Sequence, residues 1–318
     1  MTISDPAERA RFPPNTVSAI ANTRQIPWAG RIVVVGQGGL PLFVGMDCIY
    51  LDTSDFPPLL REITNPPDCL WTHGDRALFQ PTAIAVVGAR AATREGIEIA
   101  YQIAGDLSRA GIVIVSGLAR GVDSAAHLGA LDARGKTIAV LGTGIDRVYP
   151  AENKGLHERI AAQGLLVTEF PPGSPPDLFH FPQRNRIISG LSKAVVVVEA
   201  REKSGSLITA RLAGDQGRDV MVVPGPIRSG QNKGGHALLR DGAKLVESAV
   251  DILQELGLDC GGVPVRESRE SVEFTVDDVA RQLQVTPGEA LARLLEWELT
   301  GEIQRIGSGR FVRSRSKV

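Results

Sequence analysis

Cysteine is scarce in this 318-residue chain, where Cys48, Cys69 and Cys260 stand apart and never form a Cys-x-x-Cys pair. That spacing suggests neither a disulfide framework nor a zinc site. Histidine is equally scattered, at positions 73, 127, 157, 180 and 236, with no metal-binding spacing. No run of eighteen apolar residues occurs, so no membrane span is expected. The first eleven residues carry Asp5, Glu8, Arg9 and Arg11 and lack the apolar stretch of a secretory leader, so a reducing cytoplasm is the expected compartment. Excess charge is missing too. A net charge of -1 excludes a globally basic, histone-like binder.

What is present is an ordinary globular composition, 43% hydrophobic and 22% charged, in a chain long enough for two or three domains. Charge is unevenly placed. Between Leu178 and Arg240 there are ten Lys and Arg against four Asp and Glu. A local basic groove is therefore compatible with a neutral whole.

Residues 1–80 read as an N-terminal extension, rich in proline, with one clear strand at Arg31–Val35. Gly36-Gln37-Gly38-Gly39 follows, but Pro41 and the absence of an amphipathic helix point to a turn, not a phosphate loop. From residue 81 the pattern becomes regular. Short apolar runs at 83–87, 112–115, 137–141, 165–168, 194–198 and 220–223 read as strands buried on both faces. Helical segments alternate with them. One carries Ala100, Ile103, Ala104 and Leu107 on a single face, others begin near Asp123 and Glu152, and further ones lie at 186–191, 206–216 and near His236 and Ser248. This alternation predicts an α/β fold, a doubly wound Rossmann-like parallel sheet, over 81–257. Residues 258–272 read as a linker. Residues 273–318 read as a small winged-helix-like domain. Its first helix is Asp277–Leu283. The second has a Thr286/Glu289 capping box and an apolar face of Leu291, Leu294, Leu295 and Leu299, and a hairpin turns at Gly307-Ser308-Gly309.

In open α/β sheets ligands bind beyond the carboxyl ends of the strands. The loops there are Gly88-Ala89-Arg90, Ser116-Gly117-Leu118-Ala119-Arg120-Gly121, Gly142-Thr143-Gly144 and Ser204-Gly205-Ser206. Small residues, arginines and helix N-termini on one rim suit a sugar-phosphate ligand. In Phe179-His180-Phe181-Pro182-Gln183-Arg184-Asn185-Arg186, aromatics and arginines alternate. Rings that stack on bases and arginines that hold phosphates are the combination that single-stranded DNA requires.

Taken together, Ser116–Asp123, Val140–Pro150, Phe181–Ile188, Ser204–Ala210 and Arg240–Lys244 resemble the DprA/Smf DNA-processing family, with a lead-in at Phe56–Leu60 and Asn65–Asp68. The resemblance spans roughly 56–257, and the C-terminal module is similar to that family's accessory domain. It implies a cytoplasmic, non-enzymatic homodimer that protects incoming single-stranded DNA and loads the RecA recombinase in natural transformation. By the same resemblance the DNA pocket includes Arg90, Gly117, Arg120, Gln183, Arg184, Asn185 and Arg186. The residue-level reading adds Phe179, Phe181, Ser204, Gly205 and Ser206. Two departures stand out. Ala89 lacks the family's hydroxyl, and Gln183 stands where a basic residue is usual.

The same fold is similar to nucleoside-monophosphate phosphoribohydrolases, but Ser204–Ala210 contains no carboxylate to act as acid or base. The Gly-x-Gly-x-x-Gly of a nicotinamide dehydrogenase is missing here after the first strand, where Gly88-Ala-Arg-Ala-Ala-Thr93 stands. Asp123 and His127, four apart on one helix, read as a surface pair, and Glu199 and Glu202 as a strand end and a solvated loop charge. The second helix of the C-terminal module carries Glu289, Glu296 and Glu298 beside Arg293, a poor major-groove reader.

Overall fold

The computed structural model describes residues 47–261, 263, 274–300, 302–307 and 309–313, together with the backbone of strands at 24–28, 31–35 and 41–43. The chain divides into two compact units, 1–263 and 264–318. The expected Gly36–Gly39 turn, residues 262 and 264–272 of the expected linker and the basic tail beyond Arg313 lie outside the described residues.

In the first unit, β1 (Arg24–Trp28), β2 (Arg31–Val35) and β3 (Pro41–Phe43) form a small antiparallel sheet. The main sheet has nine strands: β4 (Asp47–Tyr50), β5 (Cys69–Gly74), β6 (Ala83–Val87), β7 (Val113–Ser116), β8 (Thr137–Val140), β9 (Leu165–Thr168), β10 (Ala194–Val197), β11 (Asp219–Val222) and β12 (Lys244–Leu245). Their spatial order is β12-β11-β10-β6-β7-β8-β9-β5-β4. The seven from β12 to β9 run parallel, while β5 pairs antiparallel with β9 and β4 antiparallel with β5.

The helices are α1 (Pro58–Arg61), α2 (Arg94–Arg109), α3 (Val122–Asp132), α4 (Lys154–Gln163), α5 (His180–Gly190), α6 (Gly205–Asp215), α7 (Lys233–Arg240) and α8 (Ala249–Glu255). They cover both sheet faces, which is why the parallel strands are wholly apolar. Along β6, Ala83, Ala85 and Val87 join one core with Ile187 and Ile188 of α5 and Leu207 of α6. Ile84 and Val86 point the other way, into a core with Ile103 of α2, Ala126 of α3 and Ile252 of α8. Helices α2 and α3 approach closely because Gly129 lies against α2, where a Cβ would fall 2.0 Å from the Tyr101 carbonyl oxygen.

From β6 the chain builds outward through β7 and β8 to β9. It then returns to the other side of β6 with β10 and continues to β11 and β12. The topological switch point therefore lies at β6, and a crevice opens beyond the carboxyl ends of β6 and β10.

Two parts of the sheet region differ from the sequence reading. Strands β4 and β5 extend the main sheet to residue 47, inside the segment read as an extension. Helix α5 starts at His180, six residues before the expected start at Arg186. Pro182 is its third residue, where the N–H has no intrahelical partner, so proline there is compatible with a helix.

The second unit contains β13 (Phe274–Thr275), α9 (Val276–Leu283), α10 (Pro287–Leu299), β14 (Ile303–Gly307) and β15 (Arg310–Arg313), with sheet order β13-β15-β14. Capping boxes start both helices, Thr275/Asp278 and Thr286/Glu289. Val279, Ala290, Leu294, Ile303 and Phe311 form the core. The expected apolar face of α10 is rotated: Leu294 is buried beside Ala290, while Leu291, Leu295 and Leu299 are exposed. Among the described residues no helix is long and apolar enough to cross a membrane.

Candidate nucleic-acid interface

The crevice at the switch point encloses about 490 Å³. Its walls come from the loop after β6 (Gly88 to Ala91), the loop after β10 with the start of α6 (Arg201 and Lys203 to Ser206), and the first turns of α5 (Phe181, Arg184, Asn185). Ser204 caps α6, its Oγ accepting from the Ser206 N–H at 3.4 Å and lying 2.7 Å from Ser206 Oγ. The free N–H groups and positive end of an eleven-residue helix thus face the crevice beside two exposed cations, Arg201 and Lys203.

The floor is a buried polar cluster. Arg184 is 4% exposed. Its Nη1 donates to the Gly117 carbonyl at 2.6 Å and also to the Val140 carbonyl. Burial draws its pKa down to about 10, with Asp123 opposing and Arg90 adding to the shift, so it stays charged at neutral pH. Asp123 accepts from the N–H groups of Gly117 (3.1 Å) and Ala119 (3.4 Å). Burial raises its pKa, against the pull of Arg184 and the two N–H groups. Gly117 is required because a Cβ there would sit 2.4 Å from Arg184 Nη1. Asn185, also buried, donates from Nδ2 to the Gly205 carbonyl at 3.3 Å and so ties α5 to the start of α6.

These positions correct one expectation and bear out another. Asp123 and His127 are not a surface pair. Both are buried in the α3 packing, and they have different partners, since His127 Nδ1 lies 2.7 Å from Thr137 Oγ1. Glu199 is the expected strand end. It is buried at the end of β10, where its carboxylate accepts from the Thr93 N–H and, at 2.6 Å, from Thr93 Oγ1 at the start of α2.

At the rim, exposed Arg90 sets its guanidinium 5.2 Å from the Phe181 ring centre, a cation–π distance. The Phe181 ring lies 5.3 Å from that of Tyr149. Of the twelve expected site residues, the crevice walls bring together Arg90, Phe181, Arg184, Asn185, Ser204, Gly205 and Ser206. The other five lie elsewhere. Gly117 is beneath Arg184. Arg120 is paired with Glu152. Gln183 donates to Glu169 at 3.1 Å and Arg186 pairs with the same carboxylate at 2.6 Å. Phe179 projects into solvent, 82% exposed. Sequence reasoning did not name Arg201 and Lys203 of the crevice wall, and it read Asp123 of the floor as one of a surface pair. For Lys203 the signal was its position immediately before the Ser204-Gly205-Ser206 helix start.

A parallel sheet with helices on both faces and a cationic crevice at its switch point defines a doubly wound α/β protein of the Rossmann-like class. More particularly, residues 47–257 match the model of the DNA recombination-mediator protein A family, and the chain belongs to that family. The DNA processing protein DprA of Streptococcus pneumoniae is 46% identical over 200 residues, 63% of this chain and 71% of the relative. Protein Smf of Escherichia coli is 38% identical over 289 residues, 84% of this chain and 77% of the relative. Among solved structures, DNA processing protein A from Streptococcus pneumoniae aligns with a TM-score of 0.65 at 44% identity, covering 66% of this chain and 74% of that one. DNA processing protein A from Helicobacter pylori, solved to explain its single-stranded DNA binding mode, aligns with a TM-score of 0.60 at 30% identity, covering 66% of this chain and 95% of that one.

Proposed function

We propose that this protein binds single-stranded DNA in the switch-point crevice and acts in DNA processing during recombination. The observation that carries this reading is the crevice itself. Arg90, Arg201 and Lys203 stand exposed around the N-terminus of α6, with an aromatic rim beside them. Cations and a helix N-terminus suit a phosphate backbone, and rings suit unpaired bases. The Helicobacter pylori relative, which has a single-stranded DNA binding mode, supports the same ligand here.

The site we propose comprises Arg90, Phe181, Asn185, Ser204, Gly205, Ser206, Arg201 and Lys203 at the ligand. Arg184 and Gly117 form the scaffold that shapes the floor. Delivery of the bound strand to the RecA recombinase and assembly as a homodimer belong to the same proposal, as the family resemblance implies. The phosphoribohydrolase alternative is not favoured, because the nearest carboxylates are engaged: Asp123 with backbone N–H groups and Glu199 with Thr93.

Fluorescence anisotropy of a labelled poly-dT oligonucleotide, with duplex competitor and a salt series, tests the reading. Wild type should prefer the single strand. The Arg90→Ala/Lys203→Ala variant should bind markedly more weakly while melting at the same temperature. Equal binding by both proteins would overturn the assignment of this crevice.

A further inference from the structure

We infer that Tyr149 is a base-stacking residue that continues the DNA path beyond the crevice, an inference that rests on the single-stranded DNA reading above. Phe181 is the ring the sequence brings to mind, yet it is half-buried and already surrounded. Arg90 lies over it at 5.2 Å, Tyr149 stands 5.3 Å away, and its Cδ1 lies 2.8 Å from where a Cβ on Gly142 would be. Tyr149 is different. It is 42% exposed, it lies in the loop between β8 and α4, and its ring is tilted 34° to that of Phe181.

The result is a row, Arg90 then Phe181 then Tyr149, leading from the cationic wall towards the carboxyl end of β8. Phe181 and Gly142 support the row, and Tyr149 offers the open ring surface. Tyrosine suits this role because its large flat ring has few torsions to freeze. A nucleobase stacked on Tyr149 would extend the strand past Phe181 from the cationic wall. The ligand class is an unpaired base within a polynucleotide. Stacking of this kind tolerates any base.

The test crosses protein variants with two oligonucleotides, poly-dT and the same length carrying abasic sites throughout. Tyr149→Ala should weaken poly-dT binding by about 5- to 150-fold, the range given by one lost stacking contact. Tyr149→Leu keeps apolar bulk without a π face and should lose as much, while Tyr149→Phe should bind poly-dT within about twofold of wild type. All four proteins should bind the abasic strand alike, with unchanged salt dependence. Wild-type affinity for poly-dT retained by the alanine and leucine variants would overturn the inference, as would equal losses on both oligonucleotides. Failure of wild type itself to bind poly-dT is a separate outcome that removes the DNA reading and this inference with it.

Discussion

His127 is fully buried, and its tautomer is set by its partner. Thr137 Oγ1 donates to the Ile114 carbonyl at 2.7 Å, so the hydroxyl accepts from His127 Nδ1–H. Nε2 is then unprotonated, buried and without a hydrogen-bond partner. Desolvation, with a smaller contribution from Arg184, lowers the pKa from 6.5 to about 3. A folded value below the unfolded one gives stability that is present above pH 6.5 and lost as pH falls towards 3. At pH 5 this one residue should cost the fold about 2 kcal/mol. Urea unfolding at pH 7 and pH 5 checks this: His127→Leu should lose about that much less than wild type between the two values.

Gly117 gives a second residue-scale test. Its glycine character was legible in the sequence as room for a ligand, but the neighbour that needs the room is the Arg184 guanidinium. Gly117→Ala should lower stability by about 1–3 kcal/mol, the usual range for an overpacked core, read as a shifted denaturation midpoint. Arg184 was equally visible as a cation, but not its burial in the crevice floor, because residue type does not reveal which way a helix turns its side chains. Five of the twelve expected site residues lie outside the crevice walls through pairing, burial or orientation decided by the rest of the fold.

At the scale of elements, the parallel strands were legible because burial on both faces leaves only apolar residues. Strands β4 and β5 were not. They form the antiparallel margin of the sheet and carry Asp47, Thr72 and His73 among their apolar residues, so neither an apolar run nor a clean alternation appears. The start of α5 was hidden by Pro182, read as a loop residue. The start of α2 shows how two distant elements are joined at the crevice. Thr93 caps the helix through the Gly96 N–H at 3.0 Å and also donates to Glu199 at the end of β10. Thr93→Val removes the cap and a donor to a buried carboxylate together. Thermal or urea denaturation should show a loss at the upper end of the capping range, about 2 kcal/mol. Thr93→Ser, which keeps the hydroxyl, should restore most of it.

For the molecule as a whole, the sheet and the rim that would hold a ligand could be read from the order of apolar runs and the small-residue loops after them. What could not be read was the distribution of charge over that rim. A net charge of -1 conceals it, and so does the local excess, since several of its members are neutralised where they stand. Arg186 is spent on Glu169, Arg218 lies 3.4 Å from Glu62, and Arg120 outside the run pairs with Glu152. Arg90, Arg201 and Lys203 remain at the crevice, without an acidic ion-pair partner within 4.0 Å among the described residues for Arg90 and Arg201, and with only a long, exposed contact from Lys233 to Glu202 nearby. A cation that reaches phosphate displaces a counterion, and each such contact adds about 0.7 to the salt slope on a single strand. Replacing Arg90, Arg201 and Lys203 by alanine should therefore reduce the slope of log affinity against log salt by about 2. Replacing Arg120 and Arg186 should leave it unchanged, because removing an already paired charge releases no phosphate contact. Anisotropy titrations of poly-dT at four or more salt concentrations separate the two outcomes, and a slope that falls with the second pair but not with the first three would move the binding face away from the crevice.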